Sequence, residues 1–130
     1  MPEESLNQQQ ILTKDQEPIQ FSGVLPINEE LVLIALTGNE LYGLQIIDAF
    51  KTTSEGKHNI SIGVLYPLLA RLEKRGLISS RMENGSVLFK GGARRKFFKI
   101  TKAGTFTLNE AQYLRNNLRN WSPIGSTTFA

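Results

Sequence analysis

Hydrophobic positions along the chain follow three helical rhythms, then a strand-like alternation, then a fourth helical rhythm. From Asn28, placed to cap, with Glu29 and Glu30 in the first turn, the run Leu31–Leu36 is almost wholly apolar and closes near Gly38. This predicts a buried first helix. Leu44, Ile46, Ile47 and Phe50 repeat at helical spacing before the break at Thr52–Gly56 and predict a short second helix, half exposed. Leu65, Leu68, Leu69 and Leu72 fall at i, i+3, i+4 and i+7, with Ser61 placed to cap and Gly76 to stop, and predict a third helix over 61–75. Pro67 requires that helix to begin close to Gly63, so that the proline lies near the tolerant first turn.

After Gly76 the rhythm changes. Leu77–Met82 reads as a strand, Asn84-Gly85 as a tight turn, and Arg94–Thr101 as a returning strand alternating around Phe98 and Ile100. Gly91-Gly92 loosens the tip between them, and Val87, Leu88 and Phe89 invite a second small hairpin or a partner surface. Thr101 can cap a last helix over 102–121, in which Ala111, Leu114, Leu118 and Trp121 keep the alternating three- and four-residue spacing of a helix-pair seam. The expected fold class is α+β, mainly α: a winged helix-turn-helix with a two-stranded β wing and a C-terminal dimerisation helix. Residues 1–27, rich in Glu, Gln and Asn at their start, read as a mobile arm, 28–121 as one domain, and 122–130 as a flexible tail.

Composition narrows the chemistry. The 130 residues suffice for one ordinary core, and their 40% hydrophobic content contains no run long enough to span a membrane. The N-terminus lacks a secretory pattern, so a cytoplasmic protein without a membrane partner is expected. With no cysteine and one histidine, His58, the chain offers no disulfide, no thiolate nucleophile and no Cys- or His-based metal site. There is no paired-acid cleft motif, no nucleophile beside a base, and no phosphate-binding glycine pattern, so neither catalysis nor a cofactor is expected.

Charge changes the picture most. The net +3 is segregated: residues 1–27 carry −3, residues 28–56 carry −4, and residues 57–102 hold eleven Lys or Arg against Glu73 and Glu83, a net +9. That stretch calls for a polyanionic partner. The side of the third helix away from its leucines carries Gly63, Pro67, Ala70, Arg71 and Lys74, small groups and cations that permit close approach. A helix fits the DNA major groove with its N-terminal residues toward the base edges, and a cationic hairpin can straddle the adjacent backbone or minor groove. The layout therefore points to double-stranded DNA, with helix 61–75 and wing 81–101 as the contacting elements.

At this level of detail the chain resembles the PadR-like family of winged-helix regulators over roughly residues 29–121. Leu41-Tyr42-Gly43 opens the second helix, Ser61-Ile62-Gly63-Val64-Leu65-Tyr66-Pro67 opens the third, and Arg71-Leu72-Glu73 leads to Gly76-Leu77-Ile78. Gly91-Gly92-Ala93-Arg94-Arg95-Lys96-Phe97-Phe98-Lys99-Ile100-Thr101 matches the family's wing. The resemblance implies a homodimer, joined largely through the terminal helix, that represses a promoter by occupying a roughly palindromic operator. It places Ser61, Gly63, Tyr66, Pro67 and Arg71 on the recognition helix, Tyr42 on a backbone-facing turn, and Arg94, Arg95 and Lys96 on the wing. Asn59, Lys74 and Lys90 complete the expected DNA-contacting set, and Ala111, Leu114, Leu118 and Trp121 the expected dimer interface. Residues 86–90 make the wing longer than the family's usual one.

Other uses compete at several of these positions. Tyr66 is flanked by core leucines, so its ring can be partly buried with a wet hydroxyl. Arg71 could pair with an acid, but Lys74 and Arg75 leave few acids nearby, and a DNA role is favoured. Lys74 is also at home in solvent, and for His58 and Asn59 turn chemistry ranks first. Trp121 is assigned to dimer packing ahead of a small apolar effector between subunits, a partner that the resemblance allows. The alternative to DNA reading is a winged helix that binds protein.

Overall fold

The computed structural model describes residues 25–83 and 94–125. Helix α1 spans Ile27–Ala35, strand β1 Leu41–Tyr42, helix α2 Gly43–Thr53, and helix α3 Ile62–Lys74. Strands β2 (Ile78–Met82) and β3 (Lys96–Ile100) follow, and helix α4 (Lys102–Arg119) closes the order. The four expected helices and both expected strands are present. The sheet has a third strand that the alternation did not reveal: β1 pairs antiparallel with β3, Leu41 opposite Phe98 and Tyr42 opposite Phe97, giving the order β1-β3-β2. Two residues are too few to carry a period, so the pairing is set by tertiary contact.

The core forms where the apolar faces of all four helices and one face of the sheet meet. Val32, Leu33, Leu36, Ile46, Leu65, Leu69, Leu72 and Ile78 are fully buried, with Phe98, Leu108 and Ala111 beside them. Helix α3 shows the sequence logic most clearly. Its four leucines all face inward, and Ser61 caps it by accepting from the Val64 N–H at 3.3 Å. At its end Gly76 adopts φ 79°, Gly76 N–H donates to the Glu73 carbonyl, and Leu77 N–H donates back to Leu72 at 2.9 Å. This is the Schellman closure, with Leu72 and Leu77 both buried across it.

Several expectations shift. The first helix begins at Ile27 with Pro26 as its N-cap, so Asn28 lies in the first turn and does not cap. Instead Asn28 Oδ1 meets His58 Nε2 at 2.9 Å. Leu25 belongs to the core, which therefore starts before the boundary drawn at 28. Helix α1 is not buried all round, since Ile34 is exposed, and in α2 Leu44 points outward while Ile46 and Phe50 point in. Both exposed side chains line an open apolar groove between the two helices. Pro67 is the sixth residue of α3, beyond the first turn; it sits on the exposed side, where the hydrogen bond it denies to the Gly63 carbonyl can be replaced by water. The predicted Asn84-Gly85 turn and the segment 86–90 lie outside the described residues.

Helix α4 starts where Thr101 both caps and anchors. Its Oγ1 accepts from Gly104 N–H at 3.0 Å and donates to the Gly76 carbonyl at 2.6 Å, tying the start of α4 to the end of α3. Gly104 makes that approach possible, because a β-carbon there would overlap the Leu77 carbonyl oxygen and crowd Ile100. Gly104→Ala should therefore lower stability by about 1–3 kcal/mol through overpacking, read as a lower urea midpoint with an unchanged slope. A midpoint equal to wild type would show that α4 can slide away without cost.

Candidate nucleic-acid interface

The candidate surface is built on two buried acids. Glu29 and Glu30 are only 5% and 4% exposed, which carboxylates tolerate when paired. Glu29 receives Arg71 Nε at 3.3 Å and Arg75 Nη1 at 3.4 Å, and Glu30 receives Arg115 through Nη2 at 2.7 Å and Nε at 3.1 Å. The expectation that Arg71 has few acids nearby is thus corrected. Its partner comes from α1, forty-two positions earlier, where local counting could not find it. The Arg71 side chain nevertheless stays 60% exposed.

The start of α3 is fixed from beneath. The Tyr66 ring lies across Gly43 at the head of α2, so closely that a β-carbon at Gly43 would overlap the Tyr66 hydroxyl. Tyr66 is 42% exposed, both packed and wet as the sequence suggested. Ser61, Ile62, Gly63, Val64, Pro67, Ala70 and Lys74 are exposed around it. Asn59 donates its side-chain amide to the Gly56 carbonyl at 2.9 Å, the turn role that ranked first for it.

The wing is joined to this helix pair by aromatic and ionic contacts. Tyr42 sets its ring edge-on to Phe97 at 5.5 Å, and the Arg95 guanidinium lies over the Tyr42 ring at 4.8 Å. Arg81 stacks on Phe97 at 4.9 Å while gripping Glu40 with Nε at 2.8 Å and Nη2 at 3.0 Å. That bidentate hydrogen bond holds the Glu40 carboxyl below its ordinary pKa and raises that of Arg81. A lowered carboxyl pKa stabilises the fold above the ordinary value of the group, and the contribution disappears as pH falls through the lowered one. Lys96 reaches Glu73 of α3 at 3.9 Å, and Glu83 and Arg95 close the described part of the β2–β3 ladder. Arg94 is exposed, and Lys90 lies outside the described residues.

The segregated charge of the sequence is therefore partly folded onto itself. Arg71, Arg75, Arg81 and Lys96 each meet a carboxylate, whereas Lys57, Lys74, Arg94, Arg95, Lys99 and Lys102 make no ion pair among the described residues. Sequence reasoning missed the Glu29 and Glu40 partners. It also missed Ile62 and Val64 as exposed residues at the tip of α3.

The expected dimer seam divides. Ala111 is 2% exposed and packed in the core of its own protomer, so it has no surface to offer a partner, a correction to its place in the interface. Leu114 is half-buried, and Leu118 and Trp121 are 64% and 69% exposed. Phe106 and Tyr113, absent from the predicted seam, are exposed large apolar side chains of the same helix. The seam reading failed because the core-facing stripe of α4 continues past the core: Ala111 is buried in its own protomer, whereas Leu118, seven residues on along the same face, is exposed.

The family model for the transcriptional regulator PadR-like family matches residues 32–110. The chain belongs to that family. It is a DNA-binding regulator of transcription with the winged-helix fold. A PadR-like transcription factor from Bacteroides fragilis is 29% identical and superposes with a TM-score of 0.61, over 72% of this chain and 84% of that one. Bacillus subtilis PadR, solved in complex with operator DNA, is 23% identical with a TM-score of 0.55, over 81% and 54%. The circadian clock associated protein Pex from Anabaena is 18% identical with a TM-score of 0.54, over 92% and 96%. The last two likenesses show the shared fold. Among curated protein sequences nothing matches. No helix among the described residues is long and apolar enough to cross a membrane.

Glu40→Gln should release Arg81 and remove one repulsive charge beside the wing of this regulator. The expected outcome is tighter DNA binding at low salt and a slope against log salt steeper by up to about 0.9, one added phosphate contact. An unchanged slope in a salt titration would place Arg81 away from the duplex.

Proposed function

We propose that this regulator represses transcription by binding a two-fold symmetric operator as a homodimer, with α3 in the major groove and the basic wing on the adjacent backbone or minor groove. The observation that carries the reading is the joint placement of α3 and the wing. Lys96 is ionically tied to α3, Arg95 rests on Tyr42 at the head of α2, and Lys74 and Arg94 are exposed without an ion pair among the described residues. Tyr42, Asn59, Ser61, Gly63, Tyr66, Pro67, Arg71, Lys74, Lys90, Arg94, Arg95 and Lys96 form the proposed contact set. Within it, Tyr42 and Asn59 act mainly by positioning. The reading assigns the chain no catalytic step and no cofactor, and it places the protein in the cytoplasm with the DNA it reads.

Dimerisation is supported by α4. Its first half buries Thr107, Leu108 and Ala111, but every residue from Arg115 to Gly125 is exposed, so the second half runs beyond the core of the protomer. Leu118 and Trp121 are left uncovered there, Phe106 and Tyr113 are exposed earlier on the same helix, and a second α4 laid alongside would bury them. Trp121 then packs between subunits, at the place where a flat apolar effector would also enter.

Binding measured across a salt series separates this function from a protein-binding winged helix. Affinity for promoter DNA should fall steeply with salt, by about 0.9 in log–log slope for each phosphate contacted. Arg71→Ala should lower discrimination among sequences, whereas Arg95→Ala should weaken all sequences alike and reduce the slope by about 1. Salt-independent or undetectable binding would reject the DNA reading, and equal sequence-blind losses would reject the division of labour.

Leu118→Asp should convert the dimer to a folded monomer in sedimentation, since Leu118 is exposed in the protomer and a charge there opposes only association. A variant that sediments as the wild-type dimer would move the interface off α4.

A further inference from the structure

The reading of α3 as the helix that enters the major groove assigns sequence discrimination to Arg71 but leaves the base chemistry of its leading turns open, and the exposed residues there restrict that chemistry sharply. Ile62 and Val64 are each 51% exposed, flanking Gly63 at the leading end of the helix. Ser61 has its hydroxyl committed to the Val64 N–H, and Tyr66 lies over Gly43. From Ile62 to Pro67 no side chain carries an amide, a carboxylate or a cation. The first cations on the helix are Arg71, held through Nε by Glu29, and Lys74, a turn or more further on.

A helix tip of this composition cannot read bases by the bidentate hydrogen bonds that arginine makes to guanine or asparagine to adenine. The apolar group on a base edge in the major groove is the 5-methyl of thymine. Ile62 and Val64 are β-branched, so their methyl groups are held in few rotamers and meet such a target with little loss of freedom. Gly63 and Pro67, small and lacking long side chains on the outermost line of the helix, let the backbone approach closely enough for both to reach base edges. The cations further along α3 and on the wing provide the charge complementarity that brings a duplex, in preference to an apolar protein surface, onto this face.

We infer that Ile62 and Val64 are specificity-determining residues that read thymine 5-methyl groups in each operator half-site. The inference rests on the proposed placement of α3 in the major groove and deepens it. Burying a methyl-sized group contributes about 0.8 kcal/mol, so each methyl read this way corresponds to about a four-fold change in affinity.

The test uses the full chain. A preferred duplex is selected from a randomised library, and each thymine is then replaced in turn by deoxyuridine, which removes the methyl and leaves the hydrogen-bonding edge unchanged. The expected result is about a four-fold loss at two thymines in each half-site. Ile62→Ala should abolish the sensitivity at one of them and Val64→Ala at the other. Both side chains are exposed and alanine favours helix, so the fold is retained, as circular dichroism would verify. Sequence-selective binding that is indifferent to every methyl, or alanine variants that keep the full deoxyuridine penalty, would overturn this inference while leaving the DNA reading intact. Failure of the wild-type chain to bind any duplex at low salt would overturn both, and capture of Ile62 and Val64 by a protein partner would then be the competing account.

Discussion

Two carboxylates at the start of α1, Glu29 and Glu30, are held inside the molecule, and the placement of two other helices follows from the arginines that come to them. A buried acid without a partner is costly, so Arg71 and Arg75 from α3 and Arg115 from α4 are required as well as permitted. The arginine side chains are about half exposed, and solvent weakens each pair below what a fully buried one would contribute. Their geometric effect is undiminished. The acids fix where α3 lies relative to α1 and where α4 leaves the core, and those two helices carry the proposed DNA and dimer surfaces.

Much of the fold was legible because its determinants are local. The leucines at 65, 68, 69 and 72, the Ser61 cap and the Gly76 stop define α3 within a window of about four turns, and the structure follows them closely. The same holds for Thr101 as the cap of α4. Strand β1 was not legible. Leu41 and Tyr42 become a strand only because β3 lies beside them with Phe98 and Phe97 in register, a contact spanning more than fifty residues. Pattern reading had the right residues there, assigned to the opening of α2.

The site was legible in its outline and less so in its wiring. Charge segregation and motif order pointed to the helix and wing of the proposed contact surface, yet the basic stretch 57–102 overstates the cations available to a polyanion. Arg71, Arg75 and Arg81 answer acids of the preceding stretch, so the −4 of residues 28–56 is in part the internal complement of the +9 that follows. Linear charge counts add charges without knowing which ones fold together. A similar blindness carried the apolar period of α4 past the edge of the core: spacing alone cannot tell Ala111, buried in its own protomer, from Leu118 on the same face, which is exposed.

Arg71 brings these threads together. Its pairing with Glu29 looks at first like a reason against contact with DNA, since a guanidinium engaged with a carboxylate carries less free charge. The geometry argues the other way. Glu29 engages Arg71 through Nε, and the side chain remains mostly exposed, so the internal acid orients the guanidinium without enclosing it. A free arginine loses substantial rotamer entropy when it docks, whereas one already held at its inner nitrogen loses less. The buried acid therefore lowers the net charge of the surface while preparing one of its cations for directional contact. That exchange favours discrimination over general affinity, and it suits a helix whose leading turns offer apolar side chains in place of further cations.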